Sequence, residues 1–356
     1  MVINKLQPWK LDDENDGLGW PENLADVWNN APVLNDQLIE GVLRKGHKML
    51  IAGPSKAGKS FSLIELALCI SEGKPWMGRF QCSQGKVLYV NFELDSASCI
   101  NRFHDIAKAL GIERFTNSIN VWNLRGHVVP LDKLTPALIR RAKYQDYTAI
   151  IIDPIYKVLT GSENSAYAMA QFCNYFDRIA TECNCAAIYC HHHSKGDQSW
   201  KRSSDRASGS GVFARDVDAL LDMIELELPQ YRRRDGITAW RVTGTLREFP
   251  SFPPVDVWFD YPLHVLEHFS PEENVAPHHE LPPHQRAMNA RKPKEQKLRE
   301  RKRRLEAAFD ICLADGPVTV STLAEYLGVS AQTIRNSVDE HPGFIRKGGE
   351  ISRVFP

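Results

Sequence analysis

Gly53-Pro54-Ser55-Lys56-Ala57-Gly58-Lys59-Ser60 lies between the apolar run Met49-Leu50-Ile51-Ala52 and an amphipathic segment, Phe61 to Ile70. The stretch fits G-x-x-x-x-G-K-[ST], with the strand before it and the helix after it that this pattern requires. The residue types follow from what a phosphate demands. Glycines let backbone N–H groups curl around the oxygens, and the helix start at Ser60 and Phe61 adds partial positive charge. Lys59 can reach the β- and γ-phosphates, and the Ser60 hydroxyl can hold Mg²⁺. Residues Gly53 to Phe61 are therefore expected to cradle a nucleotide.

The chain around this loop has 356 residues, 43% apolar and 25% charged, with a formal net charge of zero. That is the composition of a soluble globular protein, and the length predicts two domains, or one large domain with an appendage. Zero net charge argues against a whole-molecule nucleic-acid coat but leaves room for a local basic surface. The eight cysteines include no C-x-x-C, and Cys183-x-Cys185 is too close for the usual zinc arrangement. They read as reduced core thiols. Met1 to Trp20 carries Trp, Asp and Glu where a signal peptide would need an apolar run. No stretch approaches the roughly 18 apolar residues of a membrane span, so a cytoplasmic location is expected.

Four segments are expected: an arm at 1–33, a main domain at 34–267, a linker at 268–297 and a small domain at 298–356. Residues 1–33 are polar and carry no usable motif. Asp36 to Leu43 is expected to form a strand and turn laid over the nucleotide base. Lys86 to Phe92, Ser118 to Asn123, Thr148 to Asp153 and Ala186 to Cys190 read as strands. Asp218 to Leu228 and Thr238 to Arg247 follow as later ones. Ser96 to Leu110 reads as a helix with Ile100, Phe103, Ile106, Ala107 and Leu110 on one face. Thr135 to Lys143 and Ala168 to Cys183 are further helices. Continuous apolar strands alternating with helices imply a mainly parallel sheet covered on both faces, an α/β fold.

A phosphate loop needs a second carboxylate to hold Mg²⁺ through water, usually at the end of a neighbouring buried strand. Asp153 closes the apolar run Ala149-Ile150-Ile151-Ile152 and suits that role; a plain strand cap is the alternative. Hydrolysis also needs a group to position or activate water. Many P-loop enzymes place a Glu directly after the Asp, but here that position is Pro154. Glu93, closing the strand after the loop's helix, is the natural replacement, unless it is only a solvated strand end.

Glu93 after one strand, Asp153 on the next buried one and a polar end to the following one form the layout of the RecA-like ATPases. Within them, residues about 34–267 resemble the RepA-type hexameric helicases of plasmids and mobile elements. The supporting stretches are Gly53 to Ser60, Leu88-Tyr89-Val90-Asn91-Phe92-Glu93, Asp153-Pro154-Ile155-Tyr156-Lys157 and His191-His192-His193-Ser194-Lys195. The resemblance implies a RecA-like P-loop NTPase core that binds ATP and Mg²⁺ and assembles as a homo-oligomer, a hexamer. It gives His192 the task of sensing the γ-phosphate. A zinc site in the His run is the competing idea, but adjacent residues on a strand point to opposite faces. The resemblance also implies an arginine supplied in trans. Arg247 and Arg206 match finger or loop-end positions of the bacterial replicative branch, whereas the plasmid branch's position falls at Leu221. Lys195, Trp200, Lys201 and Arg202, in a polar basic segment, are expected to grip single-stranded DNA in a channel through backbone charge and stacking. A plain solvated loop is the alternative.

In the tail, helices are expected at Leu305–Ala314, at 321–327 with Ser321 as N-cap, and at 331–338 with another serine cap. A hairpin over 344–354 follows. This resembles a winged helix-turn-helix. Ala331, Gln332, Thr333, Arg335 and Asn336 would face duplex DNA, with Arg346, Lys347 and Arg353 on the wing and Arg299 to Arg304 adding phosphate contacts. Such a unit can instead serve protein contacts. The combined expectation is an ATP-dependent DNA motor, a helicase or replication protein of a mobile element. A regulator that binds DNA without unwinding it is the main alternative, and a nucleotide kinase is disfavoured because no acceptor lid is evident.

Overall fold

The structure is a computed structural model. It describes residues 21–114, 118–127, 129–158, 165–193, 215–229, 232, 236–269, 275–277, 302–313, 316–347 and 349–354. Among the described residues no helix is long and apolar enough to cross a membrane.

The first elements are a short helix α1 (Leu24–Val27) and a hairpin of β1 (Gln37–Ile39) and β2 (Leu43–Arg44). Next come β3 (Lys48–Gly53), α2 (Lys59–Glu72) and a small hairpin of β4 (Pro75–Trp76) and β5 (Phe80–Gln81). Then β6 (Val87–Asn91), α3 (Ser96–Ala109), β7 (Ile119–Asn123), α4 (Leu131–Gln145), β8 (Ala149–Asp153), α5 (Ala166–Cys183) and β9 (Ala186–His192) alternate. The main unit closes with β10 (Ala219–Glu227), β11 (Thr238–Leu246), β12 (Val255–Asp260), β13 (Leu263–Glu267) and β14 (Ala276–Pro277).

One large sheet collects most of these strands in the order β13-β12-β11-β10-β3-β9-β8-β6-β7, with β14 beside β10. From β7 to β10 the neighbours run parallel. β11, β12 and β13 return antiparallel. The parallel part is covered on both faces, as continuous apolar strands require. Met49 and Ile51 of β3 pack with Leu63, Ile64, Phe103 and Ile106 from α2 and α3. Leu50 and Ala52 point the other way, into Leu134, Leu138, Phe172 and Phe176 from α4 and α5. β3 is thus buried at every residue, and the phosphate loop leaves the middle of the sheet.

Three expectations change at this level. Ile100 is 49% exposed, and the buried stripe of α3 runs through Cys99, Phe103, Ile106 and Ala107. At about 100° per residue, Ile100 falls on the rim of that stripe. Helix α4 begins at Leu131, a turn before the expected start, and carries Pro136 inside. Within the stretch read as a linker, Ala276–Pro277 pairs with Leu226 and Glu227 of β10.

The tail has its own core. A helix α6 (302–313), α7 (Val320–Leu327) and α8 (Ala331–Asp339) stand with a hairpin of β15 (Phe344–Lys347) and β16 (Glu350–Arg353). Leu305, Phe309, Leu323, Ile334, Phe344 and Ile351 pack together there. The expected cap on Ser321 is replaced by Thr319. Thr319 Oγ1 accepts from the Thr322 N–H at 3.2 Å, and Thr322 Oγ1 accepts from the Thr319 N–H at 2.8 Å. This reciprocal box starts the helix one residue earlier. Ser330 caps α8 as expected, its side chain accepting from Thr333 N at 3.2 Å.

Candidate active site

The C-terminal ends of β3, β9, β8 and β6 meet around one cleft of about 360 Å³. Sheet register places the chemistry: Gly53 lies opposite His192, and Asn91 opposite Asp153. Lys59, Ser60, Phe61, Glu93, Asp153 and His192 all line the cleft. Residues far apart in the chain, predicted separately, come together here.

The loop itself is tightly held. Gly58 has φ +75°, and a Cβ there would sit 3.1 Å from His264 Nε2 and 3.3 Å from Phe259 Cδ2. Only glycine suits both the left-handed backbone and that space. Helix α2 starts at Lys59, so its first N–H groups point at the cleft without intrahelical acceptors, as an anion site requires. Below the loop, buried Glu65 of α2 accepts from Met77 N at 3.0 Å and from His264 N at 3.2 Å. That carboxylate ties the helix to the turn between β4 and β5 and to β13.

Lys59 Nζ donates to Gly53 O at 2.8 Å and to Pro54 O at 2.7 Å. It also lies 3.0 Å from His192 Nδ1. Burial pushes Lys59 down to about 8. Burial and the neighbouring Lys59 charge push His192 down to about 4, and His191 likewise to about 4. His192 is then neutral near pH 7, and its Nδ1 accepts from the ammonium. His193, the third of the run, turns away: its Nε2 is 2.7 Å from Asp222 Oδ1 on β10. The three rings do not converge.

Asp153 is buried, with a hydrogen bond at each oxygen. Tyr89 Oη donates to Oδ2 at 2.6 Å and Cys190 Sγ donates to Oδ1 at 3.1 Å. Burial, reinforced by the Asp153 charge, raises both Tyr89 and Cys190 well above their ordinary values, so both stay protonated as donors. Each carboxylate oxygen keeps a second lone-pair site for a further donor such as a metal-bound water. These partners were not foreseen, since only the β6-β8-β9 order brings Tyr89 and Cys190 to Asp153. The donor set fits Mg²⁺, which keeps several waters and takes few protein oxygens: Ser60 directly and Asp153 through water. Bound Mg²⁺ would supply charge against the developing phosphate charge.

Glu93 is exposed at the rim, and its carboxylate makes no hydrogen bond to another described residue. It is available to orient a water. Beside it, the Arg102 guanidinium lies 4.1 Å from the centre of the Phe61 ring. Phe259 and Tyr261 each bring a ring centroid to 5.3 Å from that of Phe61. This aromatic wall comes from α2, β12 and the turn after β12. None of residues 36–43 lines the cleft, contrary to expectation; Leu38, Ile39, Val42 and Leu43 are buried in the core. Four closely spaced apolar residues there are better satisfied inside than over a nucleotide.

The remaining predicted residues are elsewhere. Arg247 sits at the opposite ends of β3 and β10, where its Nη1 reaches Asp218 Oδ1 at 3.1 Å. Lys195, Trp200, Lys201, Arg202 and Arg206 lie outside the described residues, as does most of the N-terminal arm. In the tail, Gln332, Thr333, Arg335, Asn336, Arg346 and Lys347 are all exposed.

Residues 24–198 match the model of a family described as "AAA domain", a span just short of half the chain. That span contains the whole loop, Glu93, Asp153 and His192. This segment is a P-loop ATPase domain. Among solved structures, a KaiC-like protein of the hyperthermophilic archaeon Pyrococcus horikoshii OT3 is similar at 14% identity, with a TM-score of 0.45. The likeness covers 67% of this chain and 100% of that one. The same sheet continues past the matched span into β10–β13, which bring Phe259 and His264 to the loop.

Proposed function

We propose that this protein is an ATP-driven DNA motor: a RecA-like ATPase acting as a head-to-tail ring, a hexamer, in replication or unwinding on a plasmid or other mobile element. The observation that carries the reading is the presence, on one chain, of a P-loop cleft and a small helical unit with an exposed polar helix beside a basic hairpin. In that unit α8 exposes Gln332, Thr333, Arg335 and Asn336 beside a hairpin carrying Arg346 and Lys347. Such a helix and wing suit the major groove and the phosphates of duplex DNA. In the cleft, Lys59 would leave its loop carbonyls for the phosphates and Glu93 would orient the attacking water. His192 would respond to the γ-phosphate, because that group and His192 compete for the same ammonium. A guanidinium from the next copy would complete the charge. Single-strand contacts fall to Lys195, Trp200, Lys201 and Arg202.

A forked duplex with ATP tests the reading. A motor displaces the strand and loses this activity on Lys59→Ala. A regulator, the second reading, binds duplex DNA and displaces nothing; it is favoured if ATP changes only assembly or DNA affinity. Wild-type protein that hydrolyses no ATP, with or without DNA, sinks the motor.

A further inference from the structure

We infer that Asp222 is a positioning residue of the ATPase cleft: through His193 it fixes the backbone that keeps His192 and Lys59 in register. The inference rests on the reading of His192 given above. Asp222 lies on β10, and its Oδ1 is 2.7 Å from His193 Nε2, with the carboxylate 0% and the imidazole 9% exposed. Neither residue lines the cleft, and no step assigned so far uses them. A carboxylate taken out of water is costly unless it is hydrogen-bonded and paired. The pair therefore marks a place where the chain spends free energy on geometry.

Sheet order explains how the two meet. β10, β3 and β9 are successive parallel strands, with Asp222 level with Ala52 and Ala52 level with His191. Level residues project to the same face, and His193, two beyond His191, follows the same alternation. The bond thus crosses the end of β3, where the middle strand contributes only the buried methyl of Ala52. The main-chain N–H of His193 donates to Gly53 O at 3.1 Å. That same oxygen accepts from Lys59 Nζ at 2.8 Å. His192, one residue back, points to the opposite face, and its Nδ1 lies 3.0 Å from the ammonium. Lys59 therefore leans on two acceptors that the His192–His193 backbone sets together, and Asp222 fastens that backbone to β10.

Stability alone does not account for such a pair. Apolar side chains of similar volume often hold a buried site as well as an ion pair does, or better. What they lack is direction. A hydrogen bond to a carboxylate on a fixed strand sets where the imidazole sits, and it keeps the proton on Nε2. Without it the ring would turn, and the adjoining backbone would turn with it. The His192 ring and the Gly53 acceptor would then leave register with Lys59 together. Displacements of about 1 Å in a catalytic cleft can cost about 100-fold in rate.

Steady-state ATPase, nucleotide titration and thermal melts on the full chain test this. Asp222→Leu should lower kcat by about 10- to 100-fold. ATP should bind as tightly as before or up to about threefold tighter, because Lys59 leaves a loosened resting place. Asp222→Asn still offers an oxygen to Nε2–H and should keep kcat within about threefold of wild type. If Asp222→Leu does not fold, the paired change Asp222→Leu with His193→Leu leaves no buried charge and should show the same loss of kcat. In a His192→Ala background, Asp222→Leu should lower kcat by less than about twofold more, since both act on one element. A full multiplicative loss there overturns the inference, as does Asp222→Asn falling as far as Asp222→Leu. ATP affinity weakened as much as kcat marks a collapsed loop and overturns it too. Normal kcat in folded Asp222→Leu, with His192→Ala impaired, overturns the inference alone. A His192→Ala protein as active as wild type overturns the reading of His192, and the inference with it.

Discussion

Lys59 Nζ and His192 Nδ1 stand 3.0 Å apart, the ammonium also held by two carbonyls of its own loop. The residue best placed to neutralise phosphate is thus tied to a neutral imidazole on the adjacent strand. A phosphate must compete for that ammonium, and His192 is released or re-aimed when it does.

His192→Ala should therefore uncouple hydrolysis from binding. We expect kcat to fall by about 100-fold, the lower range for a lost proton-handling or orienting group, with ATP affinity changed by less than about threefold. Fluorescent-nucleotide titration and steady-state ATPase assays separate the two. An equal loss in both would show that His192 serves only to hold the loop.

Lys59 is pushed down to about 8 by burial, so nucleotide binding should take up a proton near that pH. Phosphate favours the ammonium, and affinity should fall as pH rises through about 8, by up to tenfold per unit beyond it. Calorimetry in buffers of different ionisation heat should show uptake approaching one proton by pH 9. Zero uptake there would contradict the buried-lysine account.

His191 and His192 respond on the acid side. Both titrate near 4 in the folded protein, against about 6.5 in an unfolded chain. Between those values the unfolded chain binds more protons, so stability is present above about 6.5 and is lost as pH falls towards 4. For the more buried His191 the loss is on the order of 3 kcal/mol. Urea midpoints across this window should decline, and His191→Asn should flatten the decline.

Gly58 and Gly111 allow a paired substitution. Both have positive φ, +75° and +67°, but nothing lies within 4 Å of a Cβ on Gly111, whereas His264 and Phe259 crowd one on Gly58. Gly111→Ala should cost about 1 kcal/mol from backbone conformation alone. Gly58→Ala should cost more and should also weaken ATP binding by at least about tenfold, since the loop must shift. Thermal melts and nucleotide titration report the two effects.

Local pattern made the loop, its flanking strand and helix, Asp153 and Glu93 legible. Those signals are carried by spacing and by apolar runs. Tyr89 and Cys190 were invisible as partners of Asp153 because their role depends on strand order, which alternation within one strand does not encode. Phe259 and His264 were missed for a related reason. They lie about 200 residues beyond Gly58 and meet it only through the antiparallel return of β11 to β13. The 36–43 stretch failed in the opposite sense: it reads as a strand and turn laid over the nucleotide base, but four apolar side chains draw it inside. Thr319 displaced Ser321 as a cap because Thr322 could answer it, a reciprocity that a single capping residue does not announce.

Strand β3 carries the phosphate loop at one end and, through Lys48, the Asp218–Arg247 network at the other. In a head-to-tail ring each β3 is the floor of one fuel chamber and the frame of the next. A push on the loop at Gly53 would be felt at Asp218 through a buried rod with few ways to bend. Were copies arranged in that way, sequential firing would need no separate relay, because the same six residues of β3 would belong to two sites at once.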